Sequence, residues 1–258
     1  MSDRRSSVTV VLGVLVGALG LLLALIVAGG LVVAAGFDGD EGRPDQRGDG
    51  LAPANVDRDT PLPPPAALAA DVDLTAWAAG IADAHRLPAR VVRAYGSAEL
   101  AQRARTPDCG LSWATLAGIG RVESRHGQIG DAEVDADGVA RPPIVGVPLD
   151  GSDGTREVPD TDGGRLDGDE VLDRAVGPMQ FLPETWERYG ADGDGDGVRD
   201  PQQIDDAALA AAGYLCDGGR DTASGEGWWD GVLTYNRSVP YAQLVWAAAE
   251  RYADQGRE

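Results

Sequence analysis

The chain has 258 residues, with 42 Asp and Glu against 22 Arg and no Lys, for a formal net charge of −20. Once the termini are discounted, that length suits one domain of roughly 150–200 residues, large enough for its own core. A surface this acidic repels phosphate backbones and excludes nucleic acid as a natural partner.

The N-terminal "MSDRRSS", residues 1–7, reads as a cytoplasmic tail. An uncharged run from Val8 to Phe37 follows. It exceeds the roughly 20 residues that span a bilayer, and is well beyond a signal-peptide core of roughly 7–15. Arg4 and Arg5 precede the run and acidic residues follow it. The positive-inside rule therefore predicts one transmembrane helix over 8–37 with the bulk of the chain outside the cytoplasm. A cleaved signal ending near "VAA" is the alternative, and the lack of a nearby cysteine argues against a lipid anchor. Residues 38–66 combine Gly, Pro and charge with no apolar period, and predict a disordered linker that is extended at "PLPPP".

The folded domain is expected over 67–258. Its first stretch, through "AELAQRA", is alanine-rich with apolar residues at helical spacing, and Pro88 divides it into two helices. A third helix is expected in "LSWATLAGIGRVESRHG", with Ser112 as N-cap and Gly127 as stop. Residues 131–174 are rich in Asp, Gly and Pro and predict an irregular insertion, with short strands in pieces such as "PPIVGVPL". Helical signals return in "PETWERYG", "DDAALAAAGYLC" and "YAQLVWAAAERYAD". The fold class expected is mainly α with a short β insertion.

Glu123 closes the third helix on the same face as Ile119 and Leu116. Gly120 beside it predicts open space for a ligand. Burial among such groups raises a carboxyl pKa, and a protonated acid near neutral pH suits a departing glycosidic oxygen. On this stretch alone, an exposed glutamate paired with Arg121 or Arg125 is the competing reading.

Later segments favour the acid. "AVGPMQFLPETW" covers Ala175–Trp186, and "GWWDGVLTYN" ends at Tyr235 and Asn236. With "ES" after an apolar helix, these motifs in this order resemble the lytic transglycosylases, lysozyme-like enzymes that cut peptidoglycan glycan strands. The resemblance covers roughly residues 70–255 and is nearest to the membrane-bound family B-like branch of high-GC Gram-positive bacteria. It implies a lysozyme-like, goose-type domain over 67–258 and Glu123 as the single acid and base. It also implies Ser124, Met179, Gln180, Tyr235 and Asn236 as substrate-binding residues, with Tyr235 over Glu123. The implied reaction cuts the MurNAc–GlcNAc β-1,4 bond and forms 1,6-anhydro-MurNAc, with no organic cofactor. The implied partners are glycan strands and, through the N-terminal span, the membrane. A hydrolytic muramidase and a non-catalytic glycan-binding scaffold are the alternatives. The many aspartates leave a second catalytic carboxylate open, and Asp173 stands just before "GPMQF" where some relatives carry serine, a departure from the family's pattern in this part of the cleft.

"DGDGDGVRDPQQIDDA" begins at Asp192. Asp192, Asp194 and Asp196 take the first, third and fifth positions of an EF-hand-like loop, and Gly197 takes the sharp turn. Val198 would offer a carbonyl and Asp200 a further ligand. The closing glutamate is replaced by Gln203, so Asp206 is the expected substitute. Oxygen ligands in this pattern predict a structural Ca2+. Cys109 and Cys216 are the only cysteines, and in an exported domain such a pair predicts a disulfide. The two histidines, His85 and His126, form no zinc motif, and His126 is expected to complement the helix C-terminus.

Overall fold

Among the described residues, the computed structural model shows seven α-helices and one two-stranded sheet. The described residues are 50–65, 68–152 and 156–254. They belong to a compact unit spanning Pro44–Glu258. The expected tail and membrane span lie outside them, and among the described residues no helix is long and apolar enough to cross a membrane.

Helix α1 (Leu74–His85) starts where the Asp73 carboxylate accepts from the Thr75 and Ala76 N–H groups. Pro88 separates it from α2 (Ala89–Arg105), as its missing N–H and fixed φ require. The central α3 (Trp113–Ser124) begins at Ser112, whose hydroxyl accepts from the Thr115 N–H at 3.4 Å. Every residue from Trp113 to Gly120 is buried. Burying a side chain the size of Leu116 or Ile119 contributes about 1.5–3 kcal/mol. Helix α4 (Pro183–Tyr189) and α5 (Ile204–Leu215) fall where the helical patterns place them. Helix α6 (Gly225–Tyr235) does not stand out in the sequence, because three glycines dilute its apolar period, yet it buries Trp228, Trp229 and Val232.

Helix α7 (Val239–Asp254) packs along α3. A Cβ on Gly118 would stand 2.7 Å from the Val245 carbonyl oxygen, so the two backbones approach this closely only without a side chain there. That approach brings the start of α7 to the end of α3, where Glu123 sits.

The insertion contains β1 (Glu133–Val134) and β2 (Ala140–Arg141), antiparallel, with Glu133 opposite Arg141. "PPIVGVPL" forms no strand in the sheet and contributes only an isolated bridge from Val145 to Val176. Its prolines at 142, 143 and 148 cannot donate to a ladder. Further isolated bridges, Asp150–Glu157 and Pro159–Leu172, hold the rest.

The described part of the expected linker, residues 50–65, has neither helix nor strand but leans on the helices. Ala54 N–H donates to the Gln243 carbonyl, Trp229 Nε1 donates to the Thr60 carbonyl, and Leu62 is buried. Leu62 is an apolar side chain within a proline run, so packing it orders a segment that had little conformational freedom to lose. Cys109 and Cys216 form a disulfide that ties the end of α2 to the end of α5.

Candidate active site

Glu123 lies in the last turn of α3 and is partly buried. The Tyr241 hydroxyl, from the first turn of α7, donates to its Oε1 at 2.6 Å. Burial pushes the Glu123 carboxyl up to about 7, against the opposing pull of the Tyr241 hydrogen bond. Burial, followed by the Glu123 charge, holds the Tyr235 and Tyr241 phenols well above their usual range, so both stay protonated donors. A carboxyl titrating near neutral pH is equipped to give a proton in one step and take one in the next.

Nothing in the sequence marks Tyr241. The contact spans 118 positions and exists because α7 crosses onto α3. Tyr241→Phe removes a bond that favours the carboxylate, so Glu123 should stay protonated to higher pH. The expected result is that the alkaline limb of kcat/KM shifts upward, with an activity loss of about 10-fold at its optimum from poorer orientation of the acid. A pH–rate profile of the variant tests this; an unmoved limb would exclude the coupling.

The space beside Gly120 is not open. A Cβ there would come 2.0 Å from the Tyr95 hydroxyl oxygen and 3.4 Å from the Met179 sulfur. The absent side chain admits the Tyr95 hydroxyl rather than a sugar, a close approach invisible to the helical pattern of α3.

The segment 175–181 folds back on itself, with Val176 bridging Phe181 and Gln180 at φ 49°. Ser124 holds it from one side: its Oγ donates to the Pro178 carbonyl at 2.6 Å and accepts from the Gly127 N–H at 2.7 Å. Tyr235 holds it from the other, donating to the Met179 carbonyl at 2.6 Å. All three motifs are thus joined by hydrogen bonds. The five residues implied as substrate-binding differ in exposure. Ser124 is 1% exposed with its hydroxyl spent on two backbone groups, and Met179 is fully buried. Both build the wall and present nothing to a ligand. Gln180 is partly exposed, its Nε2 donating to the Gly177 carbonyl at 3.0 Å, and Asn236 is exposed at the end of α6. Asp173 is fully buried, with Oδ1 accepting from the Thr161 N–H and Oδ2 from the Thr161 hydroxyl.

In the acidic loop, Asp192, Asp194 and Asp206 come together, with carboxylate oxygens within 4.8 Å of one another. All five aspartates also accept from the loop's own backbone, Asp196 and Asp200 from the Val198 and Gln202 N–H groups at 2.7 and 2.8 Å, but Asp196 and Asp200 are not among the three that converge. Val198 is exposed, and Gln203 donates from Nε2 to Asp194 while its Oε1 caps α5. Asp206 is 1% exposed. Burial pushes its carboxyl up to about 6, the Asp194 charge adds to the rise, and N–H groups of Asp200 and Gly193 oppose it. An all-oxygen donor set with one buried carboxylate fits a hard cation.

Residues 174–229 match the family model described as Transglycosylase SLT domain. This SLT segment contains Gln180, the acidic loop and Cys216, while Glu123 and Tyr235 lie on either side of it. No curated protein matches the chain. Among solved structures, the Escherichia coli lytic transglycosylase Slt35 in complex with bulgecin A is 15% identical. That similarity covers 73% of this chain and 81% of that one, with a TM-score of 0.42. SltB3 from Pseudomonas aeruginosa, in complex with NAG-anhNAM-pentapeptide, is 17% identical over 72% of this chain and 68% of that one, with a TM-score of 0.37.

Proposed function

We propose that the chain is a peptidoglycan lytic transglycosylase of lysozyme-like fold that uses Glu123 as its single acid and base. The observation that carries this reading is the partly buried Glu123 carboxyl at the end of α3, accepting from the Tyr241 hydroxyl at 2.6 Å, in surroundings that push its pKa up. Ser124 and Tyr235 fasten its surroundings to the SLT segment.

In this reading, protonated Glu123 gives its proton to the glycosidic oxygen between MurNAc and GlcNAc as the C1–O bond breaks. The N-acetyl group of MurNAc assists departure. Glu123, now a carboxylate, takes the proton of the C6 hydroxyl while that oxygen bonds to C1. The product is a 1,6-anhydro sugar, no water is consumed, and the acid is restored. Gln180 and Asn236, both solvent-accessible, are the groups placed to bind sugar. Asp173 cannot supply a second carboxylate without giving up both bonds to Thr161. The test is mass spectrometry of muropeptides released from purified cell wall by the full chain in detergent. Anhydro ends are expected. Water-added reducing ends would make the protein a hydrolase, and no release by folded protein would make it a scaffold.

We further place the protein in the cell membrane as a single-pass protein with its domain outside the cytoplasm, within the family B-like branch. The uncharged run 8–37 behind Arg4 and Arg5 supports the span, and the Cys109–Cys216 disulfide suits an oxidising compartment. Calcium is the ion proposed for Asp192, Asp194 and Asp206, where it would neutralise carboxylates that otherwise repel one another and fix the loop before α5. Calcium in place of chelator should raise the melting temperature by about 5–10 °C. Asp206→Asn should remove that rise; a wild-type protein that melts alike in both conditions would sink the proposal.

A further inference from the structure

The turn that follows Glu123 is left-handed for three residues in succession. Arg125 has φ 54°, His126 φ 64° and Gly127 φ 80°. Helix α3 closes with the His126 N–H donating to the Gly120 carbonyl at 2.8 Å, six residues back, and the Arg125 N–H donating to Arg121. Such a closure normally places glycine where Arg125 stands, because a Cβ is disfavoured in this region. Two consecutive non-glycine residues here persist only if the surroundings impose them.

The His126 side chain is what the surroundings hold. It is 3% exposed, its Nδ1 lies 3.1 Å from the Tyr95 hydroxyl of α2, and its Nε2 lies 3.0 Å from the Tyr252 hydroxyl of α7. Burial, followed by the charge of Arg121, keeps the ring neutral. A neutral imidazole has one donor and one acceptor, which two hydroxyls complete. The Tyr95 hydroxyl also fills the space over Gly120, one turn before Glu123. The chain Tyr95–His126–Tyr252 therefore joins α2, the end of α3 and α7, and α7 is also the helix that supplies Tyr241.

We propose that His126 is a positioning residue for Glu123: by bridging Tyr95 and Tyr252 it holds the left-handed turn and so sets the direction of the Glu123 carboxyl toward substrate. This rests on the reading of Glu123 as the acid. Glutamine has an acceptor and a donor that can serve the same two hydroxyls, whereas leucine fills the space and leaves both unpaired.

The test compares His126→Leu, His126→Gln and a distant core variant, Leu215→Ala, in the full chain acting on soluble glycan fragments. His126→Leu should lower kcat about 10- to 100-fold with KM within about two-fold, since a displacement near 1 Å has effects of this size. His126→Gln should recover most of the loss, and Leu215→Ala should melt earlier with kcat unchanged. If His126→Leu does not fold, Tyr252→Phe, which removes one of the two bonds, should lower kcat in the same way. Amide hydrogen exchange at residues 125–128 should be faster in the leucine variant and close to wild type in the glutamine variant. Unchanged exchange, or a folded leucine variant with wild-type kcat, overturns the clamp. Wild-type protein that cleaves nothing overturns the reading of Glu123 alone, because the exchange result stands without activity.

Discussion

Glu123→Gln should abolish anhydro-muropeptide release, by about 10³-fold or more, and at the same time make the protein more stable above pH 7. The first effect follows from removing a proton that the proposed mechanism uses in both steps. The second follows from linkage. The folded-state carboxyl titrates at about 7 against an ordinary value of 4.5. A raised carboxyl pKa means that folding favours the protonated form, so this contribution is fully present below pH 4.5 and is lost as pH rises through 7. Above that, keeping Glu123 ionised in the fold costs about 3 kcal/mol, a large share of the stability of an ordinary domain. Glutamine is neutral, nearly the same shape, and its carbonyl still accepts from the Tyr241 hydroxyl. Denaturant titrations of both proteins at pH 5 and pH 8 check this. The variant should gain at pH 8, and the gap should narrow toward pH 5. Equal stability at both pH values would mean that Glu123 is an ordinary solvated carboxylate and remove the basis for its role.

Several features were legible in the sequence because they depend on local chemistry. Pro88 ends one helix and starts the next, Ser112 caps α3, and the two cysteines pair. The apolar surroundings of Glu123 were legible because its helical spacing placed it beside Leu116 and Ile119, both fully buried. What depends on packing between distant segments was not. Tyr241 reaches Glu123 only because Gly118 lets α7 approach α3. Tyr95 occupies the space over Gly120 for the same kind of reason: a glycine announces room, and only the tertiary structure says what takes it. The hydrogen-bond partner of Ser124 was not legible either. Its hydroxyl meets the Pro178 carbonyl, 54 positions away, rather than a ligand. Helix α3 ends at Ser124 with Arg125, rather than Gly127, as its left-handed cap, and the next residue, His126, is held between two hydroxyls from other helices, which no local pattern announces.

Replacing both cysteines by serine should lower the stability by about 4–5 kcal/mol and the melting temperature by roughly 10–15 °C. The bridge spans 107 positions, so in the unfolded chain it closes a long loop and removes much of that state's conformational freedom. The loop contains α3 with Glu123, the whole insertion and most of the SLT segment. In the folded state the Cys109 carbonyl accepts from the Thr222 N–H and hydroxyl, Cys216 caps α5, and neither cysteine is among the groups that bond Glu123, Ser124 or Tyr235. Serine at both positions therefore should leave kcat of the folded fraction close to wild type. Urea denaturation of the double variant, with wild type in the presence and absence of reductant, measures the effect. Reduced wild type should match the double variant, and coincident midpoints with and without reductant would show that the bridge does not limit the unfolded state. The size of the effect bears on location. Without the bridge, a domain of typical stability keeps only part of its margin. Chain retained in a reducing compartment should thus be the easier protease substrate, and chain delivered to an oxidising one the durable enzyme.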